Sequence, residues 1–259
     1  MEHTTFKSTF ERIGRVLLPE YSGTRIMMMP IVLGDLASVP DSVSHYIATL
    51  EALFELEDFS GEVGYLTIDE KIVTAGATHR RSGLHVDGVY RSDGGGWGGG
   101  GGWGGGRGDL RPDPPIPTVS DADFPKIQIP LPKERVPEKP IELKARQSPN
   151  GTGFVTVSSV SACRAWNQVF DGWPGPEGEC DHLADQIDEE TGATLTPGIA
   201  YWLDPLCVHE SLPLQRTQSR QFVRLSYPST APWFEGYTPN PKGIRPTGPI
   251  LPRRSFMEQ

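Results

Sequence analysis

No apolar run in this chain approaches the roughly 18 residues that a bilayer span requires, and its first residues, Met1 to Lys7, are polar. The expectation is a soluble, cytoplasmic protein with no membrane partner. Long basic runs are missing too: 24 Lys and Arg stand against 33 Asp and Glu, a formal charge of −9. That balance argues against nucleic acid or an anionic membrane as a main partner. Cysteine is scarce. Cys163, Cys180 and Cys207 are an odd number without zinc-type spacing, so a disulfide scaffold is not expected and each thiol reads as a small packed residue. Alternation sets Cys207 on the same face as His209, which leaves a ligand or redox role open for it. No internal repeat divides the chain, and 259 residues suit one sizeable domain.

What is present reads mainly as β. The run Arg25 to Leu33 predicts a buried strand that Pro30 pushes toward an edge, with Met27, Met28 and Met29 as core filler. Asp41 is placed to cap a helix whose apolar residues Val43, Ile47, Leu50, Leu53 and Phe54 recur at helical spacing. From Glu62 to Thr74 the alternation suggests two strands around a turn near Asp69 and Glu70. Gly153 to Ser159, Ile199 to Val208 and Arg220 to Tyr227 each predict a further strand, while Ala162 to Phe170 reads as a short helix or a loop.

Between Gly94 and Gly108, 12 of 15 residues are glycine, interrupted by Trp97, Trp103 and Arg107. Nine prolines follow within residues 112–140, which favours extended chain over helix. Residues 92–140 are therefore expected to be an insertion within one domain spanning 1–259. Trp97 and Trp103 could then form a lid, or the segment could be a loop without a role. Seven prolines between Pro228 and Pro252 make residues 228–259 a Pro-rich C-terminal tail.

Chemistry gathers at Gly83-Leu84-His85-Val86-Asp87-Gly88 and at His209. On a strand, His85 and Asp87 point to one side. Two imidazoles and one carboxylate on a rigid frame suit a non-heme Fe(II) site with open coordination positions. Downstream, Arg220, Phe222, Arg224 and Ser226 share one strand face. Other polar groups compete less well: His79 could reach the rim but reads as solvated, as does Asp181-His182 in a loop; His45 reads as exposed or structural and His3 as disordered; Arg80 and Arg81, ahead of the metal segment, could meet an anionic substrate or form a solvated pair.

This pattern of His85-Val86-Asp87, a distal His209 and an arginine beyond it resembles the Fe(II)/2-oxoglutarate-dependent oxygenases. The resemblance covers about half the chain. It implies a double-stranded β-helix, a jelly-roll or cupin-like barrel with a few flanking helices, binding Fe(II) through His85, Asp87 and His209. The cofactor 2-oxoglutarate would chelate the metal, and its distal carboxylate would need a guanidinium. Arg224 with Ser226 resembles the Arg-X-Ser pair of several members and is the expected anchor for 2-oxoglutarate, with Arg220, which matches others with a shorter spacing from His209, next. The remaining arginine is then available to an acidic substrate. Because Asp87 is intact, hydroxylation, desaturation or cyclisation of a small molecule with dioxygen is expected rather than halogenation. Two alternatives stay open: a cupin-type metal-binding barrel acting as isomerase, sensor or storage module, and an oxygenase of protein side chains.

Overall fold

The computed structural model describes residues 4–57, 59, 61–87, 153–175, 178–227 and 233–251. Trp97, Trp103 and the whole of residues 92–140 lie outside the described residues. The strands are β1 (Thr5–Ser8), β2 (Phe10–Arg15), β3 (Arg25–Val32), β4 (Val63–Val73), β5 (Phe154–Ser158), β6 (Cys163–Trp166) and β7 (Gln168–Asp171). They continue with β8 (Gly192–Thr194), β9 (Ile199–Leu203), β10 (His209–Ser211), β11 (Gln218–Ser226), β12 (Trp233–Phe234) and β13 (Ile250–Leu251). One α-helix, α1 (Ile47–Leu56), is described. No described helix is long and apolar enough to cross a membrane.

Six strands form the main sheet in the order β2-β9-β5-β11-β4-β3, antiparallel throughout. A three-stranded sheet runs β10-β6-β8, while β1 pairs with β7 and β12 with β13. The fold is mainly β as expected, but the double-stranded β-helix is not what forms. Among the described residues no sheet closes into a barrel or curls strongly. The main sheet keeps two open edges. Edge strand β3 carries Pro30, which has no N–H to extend a ladder, and a register shift between Ile26 and Met29. The C-terminal segment covers it: the indole of Trp233 donates to the Met28 carbonyl at 2.8 Å, and Asn240 donates to the carbonyls of Pro30 and Ser38. Covering an edge is an alternative to closing it.

Alternation gives the main sheet two chemically different faces. Leu66, Ile68, Val155, Val157, Val223, Leu225 and Trp202 form the core with Tyr46, Leu50 and Leu53 beside and on α1. Leu50 and Leu53 are fully buried, each worth about 1.5–3 kcal/mol. The neighbouring positions Thr67, Asp69, Thr156, Ser158, Arg220, Phe222 and Arg224 belong to the opposite face. That polar face holds the site.

Three local expectations change. The helical segment begins as a 3₁₀ turn over Asp41–Tyr46; Pro40 is its cap residue, and Val43 leaves helical geometry. β4 is one strand of 11 residues, with no turn at Asp69 and Glu70. Both carboxylates are buried in it. Asp69 meets His79, Arg80 and Arg25, and Glu70 accepts from Tyr46 and Gln221. Residues 162–170 contain strands β6 and β7 instead of a helix, because β6 joins β10 and β8 while β7 joins β1.

Candidate metal centre

The His85 segment is not a regular strand: His85 makes two isolated antiparallel bridges, one to His209 and one to Glu179. His85 N–H donates to the His209 carbonyl at 3.0 Å, and His209 N–H returns a bond to the His85 carbonyl at 2.9 Å. On the other side, Val86 N–H donates to the Gly178 carbonyl at 2.8 Å. Gly178 sits at φ +76°, and a Cβ there would come within 2.4 Å of the Val86 carbonyl oxygen. Glycine is required there because both the positive φ and the close backbone approach exclude a side chain. Asp181 accepts from Leu84 N–H at 2.8 Å and fixes the segment's entry.

Each imidazole is oriented by backbone. The Nδ1 of His85 faces the Gly83 carbonyl at 2.8 Å, and the Nδ1 of His209 faces the Cys207 carbonyl at 2.9 Å. Carbonyls only accept, so Nδ1 carries the proton and each Nε2 keeps its lone pair for a metal. The rings lie 4.3 Å apart between centroids. Asp87 Oδ2 is 3.9 Å from the Nε2 of His209, and one ligand atom from each of the three residues lies within 4.8 Å of the others. Among the described residues no other group of three His, Cys, Asp or Glu is so gathered.

Electrostatics prepare two of these three groups for a cation. Burial, then the neighbouring His209, pulls the His85 imidazole down to about 3, so it is neutral. Burial alone would raise the Asp87 carboxyl, but Arg224, His209 and His85 bring it down to about 2. Two imidazole nitrogens and an ionised carboxylate are a donor set that suits a divalent metal such as Fe(II). His85, Asp87 and His209 thus make a triad consistent with the facial triad of the Fe(II)/2-oxoglutarate oxygenases.

No protein-family model, curated protein or solved structure matches the chain. The assignment therefore rests on the residues themselves.

The two arginines differ in their partners. Arg224 donates from Nη1 to Asp87 Oδ2 at 2.6 Å, and its Nη2 lies 3.5 Å from the Met28 sulfur. It also stands over the Phe154 ring at 5.0 Å. Arg220 is 1% exposed; its Nε donates to Ser158 Oγ at 3.1 Å, while its buried Nη1 has no hydrogen-bond partner among the described residues. Burial lowers its guanidinium to about 10. Arg220 opens on a pocket lined by Thr156, Ser158, Thr196, Tyr201 and Phe222. Ser226 is buried at the end of β11, and its hydroxyl also lacks a hydrogen-bond partner.

The competing groups have other partners. His79 is wholly buried against Asp69 at 3.2 Å, not solvated at the rim. His182 faces the Trp173 carbonyl, and His45 is exposed beside Ser22 and Thr24. The Cys207 thiol lies 3.8 Å from the Val208 carbonyl, and burial holds it well above the usual thiol range. Met28 has a site role that sequence reading missed. Its φ of +49° is a left-handed conformation uncommon for a side-chain-bearing residue, and it brings the thioether onto Arg224. Nothing in the Met27-Met28-Met29 run signals that turn. The hydroxyls of Thr156 and Ser158, by contrast, could have been found, because they alternate with Val155 and Val157.

Proposed function

We propose that the protein is a non-heme Fe(II)/2-oxoglutarate-dependent oxygenase that hydroxylates, desaturates or cyclises a small molecule. The observation that carries this reading is the convergence of His85, Asp87 and His209. These residues would hold Fe(II) by two imidazole Nε2 atoms and one carboxylate oxygen, leaving positions for cosubstrate and dioxygen. With both bound, the centre supplies the oxidation, releasing succinate and CO2. Arg224 holds the Asp87 carboxylate in place through its 2.6 Å bond. Met28 and Phe154 cover that pair with apolar surface.

For the distal carboxylate of 2-oxoglutarate the favoured anchor is Arg220, with Arg224 and Ser226 second. Among the described residues the buried Nη1 of Arg220 has no acceptor, and a carboxylate supplies one in bidentate geometry. Hydroxyls of Ser158, Thr156 and Tyr201 border the same pocket. The chain acts as one domain in this reading, because His85 and Asp87 precede the 92–140 insertion while His209 follows it. The test is an anaerobic titration of Fe(II)-loaded protein with 2-oxoglutarate, watched for the weak visible metal-to-ligand charge-transfer band. A saturable band that is lost in His85→Ala supports the assignment. Iron bound without such a band refutes it.

A further inference from the structure

The polar face of the main sheet carries more positive charge than an oxygenase centre needs. Arg220 and Arg224 flank Phe222 along β11, and Arg80 lies over that same ring at 5.0 Å. Arg220 also approaches the ring, at 5.9 Å. Arg80 and the β11 arginines are largely withdrawn from water; the Arg80 side chain is 10% exposed. Among the described residues, two carboxylates are ion-paired with these guanidiniums: Asp69, bound by Arg80 at 3.0 Å, and Asp87, bound by Arg224. His79 contributes no negative charge, and Asp69 is already shared with Arg25. A divalent metal would add two positive charges to this group, and a 2-oxoglutarate dianion would remove two. A positive excess would persist among side chains largely withdrawn from water, where such an excess is costly.

We propose that the substrate is an anion whose carboxylate, sulfonate or phosphate group is received by Arg80, with Arg224 beside it. This rests on the oxygenase reading. Arg80 suits the role because its Nη1 is committed to Asp69, which fixes the guanidinium, and no other hydrogen bond from it is made to a described residue. Phe222 supports its apolar face. The group is thus positioned and still has donors to offer. Arg80 binds Asp69 and covers Phe222, cross-strand partners on the sheet face that also carries Arg224, which puts it on the metal side of the sheet. The substrate's acidic end would then be held next to the centre, with its remainder placed toward the metal.

The test uses inorganic sulfate as the probe. Fe(II)-loaded protein saturated anaerobically with 2-oxoglutarate is titrated with sulfate, read by calorimetry and by the shift of the charge-transfer band. Wild type is expected to bind sulfate saturably, and Arg80→Gln about tenfold to a hundredfold more weakly. Arg80→Lys, which keeps the charge but not the fork, should fall between. Arg164→Gln, a change at the Glu189 ion pair, should bind as wild type does. Formation of the 2-oxoglutarate band by Arg80→Gln shows that this variant is folded. Equal sulfate affinity in wild type and Arg80→Gln, or no saturable binding, overturns the proposal. A normal band without sulfate binding removes only the anion site. Arg80-dependent sulfate binding without any band keeps the anion site and removes the oxygenase reading.

Discussion

Replacing Arg220 by Met should make the metal-free protein more stable and the loaded protein unable to hold its cosubstrate. Arg220 is 1% exposed, and among the described residues no carboxylate lies within ion-pair distance of it. Its one hydrogen bond, to Ser158 Oγ, is worth about 1.5–3 kcal/mol as a charged donor. Against this stands the burial of a guanidinium without a counter-ion, which costs several kcal/mol even after relaxation. Methionine keeps much of the volume among Phe222, Ile199 and Leu195 and removes the charge. The net expectation is a gain of about 1–2 kcal/mol, which raises Tm by roughly 3–6 °C in a domain of this size. The functional cost has the opposite sign. Two charge-assisted bonds to a carboxylate are lost, so 2-oxoglutarate affinity falls by about two to four orders of magnitude. Thermal unfolding of metal-free wild type and variant gives the first number, and the anaerobic charge-transfer titration gives the second. A lowered Tm would mean that the protein itself compensates the Arg220 charge. Unchanged 2-oxoglutarate affinity would remove Arg220 from cosubstrate binding.

Asp87→Ala should abolish tight Fe(II) binding, a larger loss than the about 10–100-fold caused by removing an outer partner of a ligand; equilibrium dialysis decides, and full iron occupancy would sink the ligand assignment. Gly178→Ala forces a Cβ to within 2.4 Å of the Val86 carbonyl at positive φ, so it should displace the His85–Asp87 segment and weaken Fe(II) binding, with unaltered iron affinity as the contrary result. Acid should destabilise the metal-free protein from the imidazole range downward. Burial holds both His79 and His85 below the usual histidine value, so below about pH 6.5 the unfolded chain binds protons that the folded one refuses. Stability then falls as pH falls, by up to about 1.4 kcal/mol per pH unit for each histidine, and urea midpoints independent of pH between about 7 and 5 would contradict it.

What could be read in the chain was whatever depends on a period of two. His85 and Asp87 are two apart, and the structure brings both to His209 even though their segment makes only two isolated bridges, both at His85. The α1 region was legible for the same kind of reason, since Leu50 and Leu53 repeat at helical spacing and are buried. Long-range partners were not legible. Asp69-Glu70 has the composition of a turn, and only contacts with Tyr46, His79, Arg80 and Gln221 make it affordable inside a strand. Open edges in place of a barrel depend on Trp233 and Asn240 reaching back about two hundred residues to Met28 and Pro30, separations to which a local pattern is blind.

The arginines show the limit most sharply. Alternation puts Arg220 and Arg224 on one face of β11, and their pairing with Lys71 and Thr67 across β4 confirms the shared register. Sequence order alone therefore makes them equivalent candidates for one carboxylate. Four residues of strand separate them by about 13 Å, too far for both to grip the same end of a small dicarboxylate. Their immediate partners then divide the labour: Asp87 and Met28 claim Arg224, whereas Arg220 keeps a buried Nη1 with no acceptor. Two cationic stations on one strand, with Arg80 over the Phe222 ring between them, fit two different anions better than one.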